Sequence, residues 1–383
     1  MKKLSLAICL VLVLSLFMGG CGTSQDVGKE DNTQENPEGV LVKSSMELKY
    51  TSDFSVEYLE DGSKLITDGM DRQLLLVQRG EKIPAGYEKT PAVHIPVEKV
   101  IITTETQGSM LEPSEGINTV VGYTENVNDW YIEELKENIE KGQVAFLGGG
   151  ESPDYEKIKE LAPDLILLDA GFQQIGDKLD SLGIPYIIDS SDWEADPMAR
   201  MEWIKLFATL YNKEEDVIAY FDKGDEKLKE IEDRVKGLDK PKVSWGFLIT
   251  GKAFVPYAGS YVGKHIELSG GDYIYKEIGP DKTHTATITM EEFYTGGRLS
   301  DVYISSGPPA YNTSTQDIID RGLPIMKDMK PLVEDNTWCY QPWYYQVVHE
   351  TPEVIEELQA ILYPELYPDY KEFKYYWKVP LAE

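Results

Sequence analysis

The sequence predicts an α/β protein of two lobes joined by one long helix, preceded by an extension of β-hairpins. Three observations carry this. Short apolar runs alternate with segments of helical spacing between residues 97 and 188; the same alternation resumes after Pro241; and the charged stretch between them keeps one apolar face. The composition agrees. A chain of 383 residues that is 42% hydrophobic and 27% charged is globular, with room for two domains or more at about 150 residues each. Lys and Arg number 37 against 67 Asp and Glu, a net charge of -30. Such a surface repels phosphate backbones, which excludes a general nucleic-acid role and suits a cationic partner.

In chain order, residues 46–94 hold alternating stretches (Phe54–Tyr58, Leu74–Val77) broken by Asp61-Gly62 and Pro84, the pattern of hairpins. Val97–Thr103 reads as a strand, Gln107–Leu111 as the start of a helix, Val120–Tyr123 as a strand and Trp130–Lys141 as a helix. The helix Tyr155–Leu161 runs into the strand Leu165–Leu168. The helix Gln174–Leu182 closes at Gly183 before the strand Ile184–Ile188. Strands separated by helices imply parallel βαβ units, Rossmann-like, with a ligand crevice at the strands' carboxyl ends. Residues 197–238 are helical, and Val217, Ile218, Phe221, Leu228, Ile231, Val235 and Leu238 form one apolar face. A helix from Lys213 to Leu238 would be about 39 Å long, enough to span two lobes. The second lobe follows with the strand Val243–Ile249, the helix Ser260–Ser269 closed by Gly270-Gly271, the strand Val302–Ser305, an aromatic approach over Asn336–Tyr345 and the helix Pro352–Leu362. The boundaries are therefore 1–20 for a leader, 21–45 for a tether, 46–195 and 241–383 for the lobes, and 196–240 for the helical region between them. The aromatic tail (Tyr363, Tyr367, Tyr370, Phe373, Tyr375, Tyr376, Trp377) is expected to be structural, because a tail must bury something to stay ordered.

Lys2 and Lys3 precede an apolar run from Leu4 to Met18 and then Gly19-Gly20-Cys21. This is an export signal. Its end resembles the lipobox of bacterial lipoproteins, with Met18 where Leu is usual. The resemblance implies a lipid-modified Cys21 as the first mature residue and an extracytoplasmic chain held to the cell membrane by that lipid alone. Residues 22–45 are polar, with Gly, Pro, Asn and acidic side chains, as a flexible tether requires. Cys339, the other cysteine of the mature chain, reads as a small hydrophobe.

Catalytic constellations are not found. The four histidines (His94, His265, His284, His349) stand in no zinc-site spacing, so no metal ligands are assigned. Gly259-Ser-Tyr-Val-Gly263 has its serine one place too early for a nucleophile elbow. Ala258–His265 departs from a P-loop at both ends, and Gly148-Gly149-Gly150 has no Lys-Ser/Thr after it. The expectation is a binding protein, without enzyme activity or a resident cofactor.

Five segments resemble the metal-chelate class of ABC-transporter substrate-binding proteins, which take up ferric siderophores, haem or cobalamin. They are Val97–Thr104 with Gln107-Gly108-Ser109; Ile117–Tyr123; Pro153–Ile166, similar to the family's n-x-E-x-I-x-x-L-x-P-D-L-I; Leu268–Ile274, similar to l-x-G-G-x-n-i; and Leu299–Ile304, where Ser300 replaces a proline. The resemblance covers residues 95–365. It implies a rigid interlobe helix, partnership with a permease and its ATPase subunits, and one docking acid per lobe. By motif position these are Glu156 and Glu291, with Glu292 the neighbouring alternative. Ligand contacts are expected in the cleft loops. In the first lobe these are Gln107, Ser109, Asn126, Asp129, Trp130, Tyr131, Gly149, Gly150, Phe172 and Gln173; in the second, Tyr257, Ser260, Tyr261, His284, Thr285, Trp343 and Tyr344. The implied cargo is an iron chelate of the ferric-siderophore kind, with cobalamin or another corrinoid and haem as alternatives. A separate class, an extracytoplasmic adhesin or enzyme on the same two lobes, would need an exposed apolar patch or clustered catalytic groups.

Overall fold

The computed structural model describes residues 40–125, 130–249 and 251–382. The N-terminal extension is one five-stranded sheet in chain order: β1 (Val42–Ser45), β2 (Ser55–Leu59), β3 (Lys64–Thr67), β4 (Gln73–Gln78) and β5 (Ala92–Ile95). β1 to β4 pair antiparallel, whereas β5 returns parallel to β4, so hairpins do not account for the whole extension. β1 also corrects the tether expected to reach residue 45. Its four side chains are all exposed, so no apolar alternation marks it; pairing of its backbone to the open edge of β2 makes the strand. Cys21 and the tether up to residue 39 lie outside the described residues.

The first lobe holds β6 (Val100–Ile102), α1 (Glu105–Leu111), β7 (Val120–Tyr123), α2 (Glu133–Glu140), β8 (Ala145–Phe146), α3 (Tyr155–Leu161), β9 (Leu165–Asp169), α4 (Gly176–Leu182) and β10 (Tyr186–Asp189). Its sheet is parallel throughout, in the order β10-β9-β6-β7-β8. Alternation of side chains explains the apolar runs. Val100, Ile102, Leu165, Leu167 and Ile187 enter one core, while Ile101, Ile166, Leu168 and Ile188 enter a second on the opposite face. Val56, Ile66, Leu74 and Leu76 of the extension join the first of these cores, so the extension is built into the lobe.

The helical region comprises α5 (Pro197–Glu202), α6 (Ile204–Thr209) and α7 (Glu214–Arg234). α7 is shorter than the helix expected to reach Leu238. Gly237 adopts φ +82°, which ends the helical path, and Leu238 is 45% exposed rather than part of the apolar face. At 21 residues α7 spans about 32 Å. It still connects the lobes: Val217, Phe221, Leu228 and Ile231 lie in the first lobe's core, and Val235, just past the helix, lies in the second's.

The second lobe contains β11 (Lys242–Ile249), β12 (Lys252–Pro256), α8 (Tyr261–Leu268), β13 (Asp272–Tyr273), β14 (Thr285–Thr289), α9 (Met290–Gly297), β15 (Val302–Ser305), α10 (Thr315–Arg321), α11 (Lys330–Val333), β16 (Thr337–Tyr340), α12 (Thr351–Leu362) and β17 (Tyr376–Lys378). The sheet order is β14-β12-β11-β15-β16-β17, with β13 beside β11; its centre is parallel and its two edges antiparallel. The tail supplies the edge strand β17 and buries Tyr375 and Tyr376 in the lobe's core.

Two buried glutamates fasten the segment near residue 50 to α5 and the C-terminal tail to α12. Glu202, at the end of α5, accepts the backbone N–H groups of Lys49 and Tyr50 (both 2.8 Å) and Thr51 (3.0 Å), together with Lys205 Nζ at 2.6 Å. Glu357, on α12, accepts those of Lys374, Tyr375 and Tyr376 at 2.6–2.7 Å. Both carboxylates are fully buried.

Candidate functional site

A cavity of about 390 Å³ opens between the lobes at the carboxyl ends of the first lobe's parallel strands. Thr104, Glu105 and Thr106 follow β6, Glu125 follows β7, Asp169 ends β9, and Asp192 and Trp193 come shortly after β10. Arg200 of α5, Tyr261 at the head of α8, His284 and Tyr345 complete the lining. Local hydrogen bonding sets this geometry. Gln107 Oε1 accepts from Thr103 N at 2.7 Å and Thr104 N at 3.2 Å, and its Nε2 donates to Asp189 at 3.2 Å. That cap turns the chain out of β6 and sets Glu105 at the cavity wall. The Arg200 guanidinium pairs with Asp192, donates to Thr106 Oγ1 at 3.2 Å and stands 4.6 Å from the Tyr261 ring centre. One side chain thus meets both lobes.

The carboxylates are crowded. Burial, then the charges of Asp189 and Asp192, push Asp169 up to about 7, and burial pushes Asp189 up to about 6. Asp169 therefore keeps its proton in the folded protein while the unfolded chain loses it near the ordinary carboxylate value. Its contribution to stability is complete at acid pH and falls as pH rises toward 7. Replacing Asp169 with Asn is expected to flatten that slope between pH 4 and 7 in urea melts; an unaltered slope would show that this proton is not retained.

A second cavity of about 510 Å³ lies on the flank of the lobe seam. Tyr131 and Trp343 pack together in its wall, their rings tilted by 55° with centres 5.3 Å apart. Gln346 joins the two cavities: its Nε2 donates to Glu105 at 2.9 Å and its Oε1 accepts from Tyr131 N at 2.7 Å. Glu112 is pushed up to about 7, chiefly by burial and then by Glu350, and burial lowers His349 to about 4. Among the described residues, no group of three or more His, Cys, Asp or Glu side chains is placed to hold a metal ion.

The expected contact residues divide sharply. Tyr261 and His284 line the main cavity, and Tyr131 and Trp343 the flank. Five others are taken up in packing and caps. Gln107 is the cap described above; buried Ser109 accepts from Val348 N at 3.3 Å; Trp130 packs edge-on to Tyr123 in the lobe core. Ser260 caps α8 through Gly263 N, and buried Tyr344 bonds His265 Nδ1 at 3.0 Å. Gly149, Gly150, Phe172, Gln173, Tyr257 and Thr285 line neither cavity; Gly150 sits under the Phe172 ring, where a Cβ would come within 2.5 Å of it. Asn126 and Asp129 lie outside the described residues. Sequence reasoning missed the ring of acids together with Arg200, Trp193 and Tyr345. The available signal was an acid at or just past the end of each of several buried strands.

The acids expected to dock have matching placements. Glu156 and Glu291 are each the second residue of their helix, α3 and α9. Glu292 is engaged locally, its Oε2 accepting from Thr289 N and Oγ1, both at 2.8 Å.

Residues 117–352 match the family model described as periplasmic binding protein. An uncharacterized lipoprotein of Methanocaldococcus jannaschii is 24% identical, over 96% of this chain and 94% of its own length. A periplasmic binding protein from Veillonella parvula has a TM-score of 0.58 at 14% identity, covering 70% of this chain and 91% of that one. The periplasmic heme binding protein of Vibrio cholerae has a TM-score of 0.57 at 14% identity, covering 70% of this chain and 100% of that one.

Proposed function

The chain belongs to the periplasmic binding protein family, and from that premise we propose that it is the extracytoplasmic receptor of an ABC importer. It captures an iron chelate between its lobes and hands it to a membrane permease driven by ATPase subunits. The observation that carries this reading is the cavity between the lobes, lined from both sides by polar and aromatic groups at the strands' carboxyl ends. Acylated Cys21 anchors the protein to the membrane. That part rests on the basic, apolar and glycine segments before Cys21, and the Methanocaldococcus relative is itself named a lipoprotein.

Trp193, 42% exposed, lines the main cavity and Trp343 the flank, so intrinsic fluorescence reports on both. Titrating the purified protein with ferric hydroxamate, catecholate and citrate chelates is expected to give saturable quenching by one class at submicromolar ligand, with inner-filter controls. Saturable quenching by haem or cobalamin alone would overturn the iron-chelate assignment and keep the receptor. Silence toward all of them would sink the receptor reading.

A further inference from the structure

Resting on the reading of the interlobe cavity as the cargo site, we infer that the N-terminal extension holds the segment Ser190–Glu194 at both its ends, which makes Gly69 and Thr51 positioning residues for that site. The segment follows β10 and carries Asp192 and Trp193 into the wall of the main cavity. The extension lies ahead of residues 117–352, the part that matches the family model, so the family alone assigns it no role. At the near end, the turn between β3 and β4 meets the last residues of β10. Asp68 both folds this turn and fastens it. Its Oδ1 accepts from Met70 N and Arg72 N, both at 3.0 Å, as an aspartate opening a turn does, and its Oδ2 accepts from Ile188 N at 2.8 Å. Gly69 N donates to Ile188 O at 3.1 Å. Arg72 lies over the Tyr186 ring, 3.8 Å from its centre, and pairs with Asp180 at 3.2 Å. The docked turn sets Gly69 so close to Ser190 that a Cβ would overlap Ser190 Oγ and come within 2.7 Å of its Cβ. Gly69 does not take a positive φ, so the approach of Ser190, rather than the backbone, demands a glycine here. Ser190 O in turn accepts from Trp193 N at 2.8 Å, so a displacement of Ser190 reaches Trp193 directly.

At the far end, Thr51, ahead of β2, donates its hydroxyl to Glu194 Oε1, which also accepts from Trp203 Nε1 at 3.1 Å. Thr51 is itself held, its N–H donating to Glu202 at 3.0 Å. Asp192 and Trp193 are therefore set between two contacts with the extension. Asp192 passes the constraint on, because it pairs with Arg200, which stands over the Tyr261 ring of the second lobe. A side chain lining a site serves binding only while its supporting contacts hold it in place. The extension supplies that support from outside the two lobes.

Two readouts on the full-length protein in detergent test this. Fluorine NMR after labelling with 5-fluorotryptophan reads the surroundings of Trp193 without any cargo, its resonance being the one missing in Trp193→Phe. Fluorescence titration with ferrioxamine B, ferric enterobactin and ferric citrate reads the site. Gly69→Ala is expected to shift the Trp193 resonance and to weaken the tightest of the three chelates about tenfold. Ser190→Gly removes the obstructing atoms, and its hydroxyl has no hydrogen-bond partner among the described residues, so the change strands nothing. Alone it should leave both readouts near wild type, and in Gly69→Ala/Ser190→Gly it should restore both. Thr51→Val removes the hydroxyl at the other end; it should shift the same resonance and weaken binding about threefold, and it decides the matter if Gly69→Ala does not fold. An unmoved resonance in the folded variants would overturn the positioning. A moved resonance with unchanged affinity would overturn its bearing on the cargo, and a loss that Ser190→Gly fails to reverse would remove Gly69 from this contact. If the wild-type protein binds none of the three chelates, the iron-chelate reading falls, and the resonance alone still decides whether the extension holds the segment.

Discussion

Replacing Glu202 with alanine is expected to cost about 3–5 kcal/mol of folding free energy, since removing one partner of a buried ion pair leaves the other charge uncompensated. The stranded charge is Lys205, whose side chain is 2% exposed and whose Nζ rests on Glu202. Three backbone N–H groups, those of residues 49 to 51, lose their acceptor at the same time. Of these, the Thr51 bond is buried, and a buried donor left unpaired adds its own desolvation cost. A loss of this size is a large part of the roughly 5–15 kcal/mol that holds a typical domain together. Glu202→Gln keeps an acceptor oxygen but not the charge, and should fall between the two. Urea denaturation measures the difference; a change below about 1 kcal/mol would show that the anchor is dispensable. Glu357→Ala should cost less, because it strands the N–H groups of residues 374 to 376 but no buried lysine.

The second large effect is on transport. In cells, Glu156→Ala/Glu291→Ala is expected to lower uptake of radioactive ferric chelate by on the order of tenfold or more, with chelate affinity of the purified protein unchanged. Both acids are exposed and each sits in the first turn of a helix, where the local field favours a negative charge even without a partner. Glu156 is 3.5 Å from Lys159, an exposed contact of small worth that a basic permease residue can replace. The control is Glu292→Ala. It breaks the capping box of α9, which should cost about 1 kcal/mol of stability, yet leave uptake near the wild-type level. Equal uptake in the double variant and wild type would remove both acids from the docking surface; loss confined to Glu292→Ala would move the second-lobe contact by one residue.

The parts of the fold that sequence made legible are those where side-chain burial dictates the pattern. Val120–Tyr123 and Val302–Ser305 coincide with β7 and β15, because a parallel sheet covered on both faces leaves unbroken apolar runs, and Tyr155–Leu161 coincides with α3, which Asp154 caps by accepting from Glu156 N and Lys157 N. β1 and β14 escape for the opposite reason. Their pairing is made by the backbone, and β14 shows threonines at 285, 287 and 289 on its exposed side. The site follows the same division. Aromatic residues in strand-end loops pointed to Tyr131, Tyr261 and Trp343, which line the cavities. Small polar residues misled. Gln107, Ser109 and Ser260 occur in the same loops but serve helix ends and the lobe seam, since a polar group close to a helix start is drawn into its unsatisfied N–H groups. Arg200 was hidden because it reaches the cavity from the helical region, well away in sequence from any strand-end loop.

The Glu202 anchor also acts as a second fastening behind β1 against a mechanical load on the N-terminal side. Lys49 Nζ bonds Asp222 and Asp225 of α7 at 2.8 and 3.1 Å, while the backbone of residues 49 to 51 is held by α5. The end of the chain nearer the proposed lipid is thus clamped to the connecting helices, the fulcrum of the two lobes. A pull on that end meets β1 first, paired to β2 in the sheet built into the first lobe, and the Glu202 anchor only after it. Two fastenings in series, a strand pairing and a buried carboxylate, thus stand between such a pull and the cavity between the lobes.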